Sequence, residues 1–267
     1  MGIYYAFMPV RDCKHSIGDV LASLKEQTLP PEEIIVVDDG STDGTAKILS
    51  NFSVKLNNMK VITTKSKTRD YSRLVKLWNK CLQTGHTYHL ILAGDTILDH
   101  DYAERIIKEM DKNPNIAVAS GNCTVEDAVA PHGGGRFVRQ SFFYKFYNKY
   151  PEIVGYESEI LLKAQISGYE TVVFNKVRFN HVDQLGGKNN FSEFGQGMKA
   201  LGYHPLFVLA RAVYTRNVKM LWYYLRFRPQ KTGYYSRFPE EFRKEVRSRQ
   251  LRLIVHKIKK HCFLKGS

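Results

Sequence analysis

The run Glu33-Ile34-Ile35-Val36-Val37-Asp38-Asp39-Gly40-Ser41-Thr42-Asp43-Gly44-Thr45 constrains the fold more than any other stretch of the chain. Four consecutive β-favouring apolar residues without alternation mark a strand buried on both faces, as in a sheet covered by helices on each side. Two carboxylates end the strand, and turn and helix-capping residues follow before the helix that starts at Ala46. The pattern recurs. Tyr4–Pro9 predicts a strand, and Ile17, Val20, Leu21 and Leu24 then recur at helical spacing. Val61–Thr63, Tyr88–Leu92 and Ile116–Ala119 predict further strands, with helices over 71–82 and 101–110 between them. Such alternation predicts an α/β fold, with a mostly parallel central sheet flanked by helices.

The second half is less regular. A helix is expected over 158–167, a strand over 171–174, another approaching His181, and mostly helices after Phe191. Charge separates the two ends of the chain. Residues 1–200 hold 24 Lys+Arg and 23 Asp+Glu, whereas residues 201–267 hold 16 and 3. The expected organisation is therefore an α/β domain over 1–200 and a basic, amphipathic helical extension over 201–267. A cationic tail on a neutral domain points to an anionic partner surface.

Bulk properties exclude several classes. The four cysteines, Cys13, Cys81, Cys123 and Cys262, form no C-x-x-C pair, which argues against a structural zinc site and fits a reducing compartment. No run of 18 apolar residues is present, so no spanning helix is expected. The start MGIYYAFMPVRD lacks a secretory pattern, and Ala6 departs from a myristoylation signal. Neither a G-x-G-x-x-G nor a G-x-x-x-x-G-K-[ST] loop occurs.

Asp38, Asp39 and Asp95 all follow apolar strands. In open α/β sheets ligands bind beyond the carboxyl ends of the strands. Carboxylates there can accept hydrogen bonds from a ribose or base, or hold a divalent cation that bridges phosphates.

At this point the chain resembles the family 2 inverting glycosyltransferases of the GT-A fold, a Rossmann-like architecture. Val36-Val37-Asp38-Asp39-Gly40-Ser41-Thr42-Asp43-Gly44-Thr45 matches that family's V-V-D-D-G-S-T-D-G-T in full, and Ser23-Leu24 with Gln27-Thr28 match its S-L-x-x-Q-T. Pro9 stands where the family has P-x-x-N, with Asp12 in place of Asn; the likeness continues through Asn79, Asp95 and Gly168-Tyr169. The resemblance implies that Pro9, Arg11, Asp38 and Asp39 hold the nucleotide of a UDP- or GDP-sugar, either aspartate facing the base.

The family's D-x-D aligns with Ala93-Gly94-Asp95, so one carboxylate is replaced by alanine. The resemblance implies Asp95 as a Mg²⁺ or Mn²⁺ ligand, with His181 as a second one. Counting back from Gly168-Tyr169 sets the family's E-D-x-D-L on Tyr156-Glu157-Ser158-Glu159-Ile160. Glu157 then occupies the general-base position, with Glu159 as the alternative. Arg136 and Lys188, beside glycines, are candidates for neutralising donor phosphates.

The implied acceptor is a glycan or lipid-linked molecule. The apolar, aromatic and basic stretches 206–213, 220–227 and 242–258 point to an anionic membrane surface, and no nucleic acid is expected as a partner. The expected location is cytoplasmic and peripheral at the membrane. Two alternatives stand beside the transferase: a catalytically impaired sugar-nucleotide-binding protein, and a sugar-1-phosphate nucleotidyltransferase.

Overall fold

A computed structural model describes residues 1–65, 72–124, 130–182 and 191–263, with side chains in the last segment from 192 to 254. The chain divides into two compact units, residues 1–150 with 167–187, and residues 151–166 with 188–267.

In the first unit β1 (Tyr4–Val10) leads to α1 (Ile17–Lys25), β2 (Glu33–Asp38) to α2 (Thr45–Lys55), and β3 (Met59–Thr63) to α3 (Ser72–Lys80). Then follow β4 (Tyr88–Ile91), β5 (Thr96–Leu98), α4 (Tyr102–Lys112), β6 (Ile116–Cys123), β7 (Arg136–Arg139), α5 (Gln140–Phe146) and β8 (Glu170–His181). The strands form one sheet in the order β3-β2-β1-β4-β7-β6-β8-β5. β3, β2, β1 and β4 run parallel; β7 is antiparallel to β4 and β6, β8 is parallel to β6, and β5 is antiparallel to β8. The expected α/β fold with helices around a mixed, mostly parallel sheet is thus present.

Burial explains why the apolar runs became strands. Ile34–Val37 and Tyr4–Met8 are almost wholly buried. In α1 the residues Ile17, Val20, Leu21 and Leu24 face the core, and in α4 Tyr102, Ala103, Ile106, Ile107 and Met110 do. Burying each large apolar side chain contributes about 1.5–3 kcal/mol. Gln27 is a buried polar tie between the two helices: its Nε2 donates to the Ser23 and Asp99 carbonyls, and its Oε1 accepts from the Ala103 N–H.

Two strands expected near 171–174 and His181 are a single one, β8. Its pairing with β6 jumps from Gly121↔Phe174 to Asn122↔Arg178, so the exposed Asn175 and Lys176 bulge out. That bulge carries β8 on to β5, where His181 stands opposite Thr96.

The second unit contains α6 (Tyr156–Ile166), α7 (Phe191–Ala200), α8 (Pro205–Tyr214), α9 (Val218–Arg226) and α10 (Glu240–Phe263). α7 and α9 touch backbone to backbone: a Cβ on Gly195 would collide with the Met220 carbonyl oxygen, so only glycine fits. Part of the expected interfacial stretch 242–258 is core instead. Phe242 and Val246 join Val154, Ala200, Leu201, Phe227 and Phe238 in a buried cluster. Four-residue spacing marks an apolar stripe and does not say which partner covers it.

Candidate functional site

The carboxyl ends of β1 and β2 lie side by side, with Pro9 paired to Val37 and Val10 to Asp38. Polar residues after β2 grip the loop after β1. Ser41 Oγ accepts from the Asp12 N–H at 3.0 Å, Thr45 Oγ1 from the Cys13 N–H at 2.9 Å, and Asp43 Oδ2 from the Lys14 N–H at 2.9 Å. In return Asp12 Oδ1 accepts from the Thr42 N–H at 2.8 Å. Asp12 has φ 51°, a left-handed conformation that Asn and Asp tolerate best among residues with a side chain. The motif 38–45 therefore shapes the loop containing Pro9 and Arg11 as well as presenting its own acids. Ser16 Oγ, at the head of α1, donates to the Gly94 carbonyl at 2.8 Å and ties this loop to the segment before Asp95.

Asp38 and Asp39 are both buried but differ in their partners. Asp38 Oδ1 accepts from the Ser41 N–H at 2.9 Å, closing the turn. Asp39 Oδ1 accepts from Arg73 Nη2 at 2.7 Å and from the Thr64 hydroxyl at 2.6 Å, and Arg11 Nη1 stands 4.0 Å from Oδ2. Burial pushes the Asp39 carboxyl up, but Arg73, Thr64 and Arg11 outweigh it and hold the group below the usual carboxylate range. Arg73 and Thr64 were not singled out from the sequence. Their signals were a cation in the first turn of a helix and a threonine just past a strand.

Asp95 and His181 are brought together, with Oδ1 and Nδ1 3.2 Å apart. This distance suits an ion pair, yet neither ring nitrogen of His181 has a hydrogen-bond partner although the ring is only 6% exposed. The contact is close but off the line a hydrogen bond needs. Thr96 Oγ1, also buried, likewise lacks a partner. Gly134 lets the neighbouring turn approach: a Cβ there would stand 2.7 Å from Thr96 Oγ1 and 3.1 Å from His181 Cε1. His132, another residue missed in the sequence, sets its ring 5.4 Å from that of His181. Burial, with His181 and Arg136 adding to it, pushes the His132 imidazole down to about 4.

An orphaned, buried imidazole beside a partly exposed carboxylate fits a divalent cation bound by one oxygen and one nitrogen. Among the described residues no group of three or more His, Cys, Asp or Glu is placed to hold a metal. Asp95 and His181 would thus supply two ligands, and a bound diphosphate could supply oxygens.

The remaining expected residues fall elsewhere. Arg136 is 3% exposed, and its guanidinium donates to the Pro131 carbonyl at 2.9 Å and the His132 carbonyl at 3.2 Å. It braces the turn that carries His132 and Gly134. Lys188 lies outside the described residues. Glu157 and Glu159 occupy the first turn of α6 in the second unit; Glu159 is buried, while Glu157 is half-buried and accepts from the Tyr156 hydroxyl at 3.4 Å. Burial raises the Tyr156 phenol, with Glu157 adding to the effect.

Residues 5–166 match the family model described as glycosyl transferase family 2. Over 110 residues the chain is 29% identical to the poly-beta-1,6-N-acetyl-D-glucosamine synthase of Staphylococcus epidermidis, covering 40% of this chain and 25% of that protein. The Staphylococcus aureus counterpart is 27% identical over 107 residues, with the same coverage. The chain thus spans about a quarter of the length of these curated relatives. Among solved structures, the mannosyltransferase PcManGT from Pyrobaculum calidifontis, in complex with GDP-Man and Mn²⁺, superposes with a TM-score of 0.60 at 16% identity, covering 84% of this chain and 69% of that one. Residues 1–349 of S. aureus TarS in complex with UDP-GlcNAc give 0.58 at 18% identity, covering 74% and 64%. At these identities the likeness is one of fold.

Proposed function

The chain belongs to glycosyl transferase family 2, and we propose that it moves a sugar, with inversion, from a UDP- or GDP-sugar to a hydroxyl or phosphate of a glycan or lipid-linked acceptor. The observation that carries this reading is the pair of acidic stations at the carboxyl side of the sheet. Asp38 ends β2 and Asp39 follows it beside the loop containing Pro9 and Arg11, and Asp95 follows β4 against His181.

In the proposed reaction the acceptor oxygen attacks the anomeric carbon from the face opposite the diphosphate, and its proton passes to Glu157. The bond between that carbon and the diphosphate oxygen breaks, and the nucleoside diphosphate leaves with the electron pair. Glu157 takes the base role from its position in the family motif, with Glu159 behind it as a buried helix-start residue. Pro9, Arg11, Asp38 and Asp39 bind the nucleoside, Arg73 fixing the Asp39 carboxylate. Asp95 and His181 would hold Mg²⁺ or Mn²⁺, which supplies charge neutralisation to the departing diphosphate. Lys188 is kept as a phosphate-binding candidate, while Arg136 is assigned to bracing the 131–135 turn.

The same reading puts the protein in the cytoplasm, peripheral at the membrane face, with its basic C-terminal part against anionic lipid. Residues 1–200 are proposed as the catalytic portion and 201–267 as the extension. One observation favours a second reading, a sugar-nucleotide-binding protein without turnover: Ala93 stands where the family has a metal-motif carboxylate. Calorimetry and turnover with a panel of UDP- and GDP-sugars, with and without Mn²⁺, separate the two. Donor binding with product of inverted anomeric configuration is expected. Binding without turnover would favour the second reading, and absence of binding to every donor would overturn both.

A further inference from the structure

α8 and α9 are each apolar on two sides. On the inner side Val208 and Ala212 of α8 meet Met220 and Tyr224 of α9 in one buried cluster with Met198. On the outer side stand Leu206, Leu209 and Val213, at spacings of three and four, and Val218, Trp222 and Leu225, at spacings of four and three. These six are between 47% and 75% exposed, and Tyr214 at the end of α8 is 90% exposed. A helix packed on one face of a water-soluble unit ordinarily turns polar residues outward. Apolar residues repeated at helical spacing on the outer face mark a surface that receives an apolar partner.

Charge identifies the partner. Residues 201–239 contain seven Lys+Arg and no Asp or Glu. Arg211, Arg216, Lys219 and Arg226 lie among the exposed apolar residues, and the Arg226 guanidinium sits 4.8 Å from the centre of the Trp222 ring. A second copy of this face would bring cations against cations. A bilayer of anionic phospholipid offers hydrocarbon to the rings and negative headgroups to the guanidinium groups. Helices of ten and nine residues rise only about 15 Å, half of a hydrocarbon core, and no described helix is long and apolar enough to cross a membrane. The helices would therefore lie in the interface plane.

We propose that the outer face of α8 and α9, and not the inward-packed start of α10, is the surface by which the protein docks on an anionic phospholipid bilayer. This deepens the membrane-side reading above, on which it rests, by naming the surface and its lipid.

The molecule carries its own probe, because Trp78 is buried and Trp222 is exposed. The full chain is mixed with vesicles of phosphatidylglycerol and phosphatidylcholine, or of phosphatidylcholine alone, with brominated acyl chains as quencher. Expected are pelleting with the anionic vesicles only and quenched tryptophan emission, the quenching lost in Trp222→Phe while pelleting persists. Replacing Arg216, Lys219 and Arg226 together by Gln should weaken partitioning about fivefold per charge, roughly a hundredfold in all. Pelleting without quenching would overturn the assignment to this face. A protein that dimerises through the face, becoming monomeric in Leu209→Glu without change in vesicle binding, would assign it to a second copy and overturn the proposal. Donor binding is measured on the same samples. Donor binding without vesicle binding sinks the docking surface alone, whereas vesicle binding without donor binding sinks the transferase reading alone.

Discussion

Arg73 Nη2 donates to Asp39 Oδ1 at 2.7 Å, joining the first turn of α3 to the acid that follows β2, 34 residues earlier in the chain. A buried carboxylate with a guanidinium partner keeps its charge; without one, burial favours the protonated form. Arg73→Gln should therefore weaken donor binding by about ten- to a hundredfold, the range for a lost hydrogen bond to a charged group. The loss should grow toward acid, since the Asp39 carboxyl is then raised. Calorimetric donor Kd between pH 5 and 8 checks this. An unchanged Kd across that range would show that Asp39 does not need its charge for the donor.

Asp95→Asn and His181→Ala should each reduce metal-dependent turnover by more than the roughly 10–100-fold usual when only a group supporting a metal ligand is lost. Donor binding without metal should be nearly unaffected. Gly134→Ala tests the same place from the opposite side, because its methyl group would crowd Thr96 and His181. Overpacking of this kind costs about 1–3 kcal/mol, so a lower Tm should accompany weaker Mn²⁺ dependence. Mn²⁺ titrations of turnover that superpose on those of the unaltered protein would remove Asp95 and His181 from the metal site.

Glu157→Gln should bind donor normally and lose about 10²–10⁴ in transfer rate, the usual consequence of deleting a general base. Glu159→Gln should act on stability first, because Glu159 is buried at the start of α6. Donor Kd, acceptor-dependent rate and Tm are measured on both variants. A larger rate loss in Glu159→Gln, with Tm unchanged, would exchange their roles.

The imidazole of His132, pushed down to about 4 by burial, gives a pH prediction. The unfolded chain takes up this proton near pH 6.5 and the folded protein only near 4. The stability contribution is therefore present above about 6.5 and lost as pH falls from there to about 4. Urea unfolding at pH 7, 6, 5 and 4.5 should show this acid decline. His132→Gln should make it shallower, leaving the part owed to the buried His89, whose imidazole burial pushes down to about 3. Equal slopes in the two proteins would refute the assignment.

What could be read from the sequence depended on how local the cause was. β1, β2 and β4 are buried on both faces and announce themselves as apolar runs. β5 has three residues and β7 reads Arg-Phe-Val-Arg, too short and too charged to stand out, and both take their places from antiparallel neighbours. Asn175 and Lys176 split the pattern of β8 because a bulge interrupts its alternation. The acids after β2 and β4 were legible because strand ends are local. Arg136 is buried by its own turn and lost its apparent availability to carbonyls four and five residues earlier. The Arg73 contact with Asp39 and the approach of the His132 ring to that of His181, by contrast, arise only when distant segments meet. The inward face of α10 belongs to the same class, since its spacing fits a lipid interface and a protein core equally well.

Asp12 yields the last prediction, because it departs from the family's asparagine while keeping that residue's conformation. Its φ of 51° suits Asn as well as Asp, and an Asn side-chain oxygen can accept the Thr42 N–H that Asp12 Oδ1 now accepts. The substitution Asp12→Asn removes one thing only, the carboxylate charge 3.7 Å from Arg11 Nε. Arg11 then faces Asp39, 4.0 Å away, and the donor without that competing anion. Stability should change by less than about 0.5 kcal/mol, as at other partly exposed positions where geometry is kept. Donor Kd should stay the same or tighten. Asp12→Ala differs on both counts: it loses the bond to Thr42, worth about 0.5–1.5 kcal/mol, and sets a less tolerant residue in the left-handed region. Because that bond belongs to the set by which residues 41–45 hold the loop containing Arg11, Asp12→Ala should weaken donor binding along with Tm. Thermal unfolding and calorimetry on the two variants decide. If Asp12→Asn lost donor affinity as severely as Asp12→Ala, the Asp12 charge itself, and not the shape of the loop, would be what the site requires.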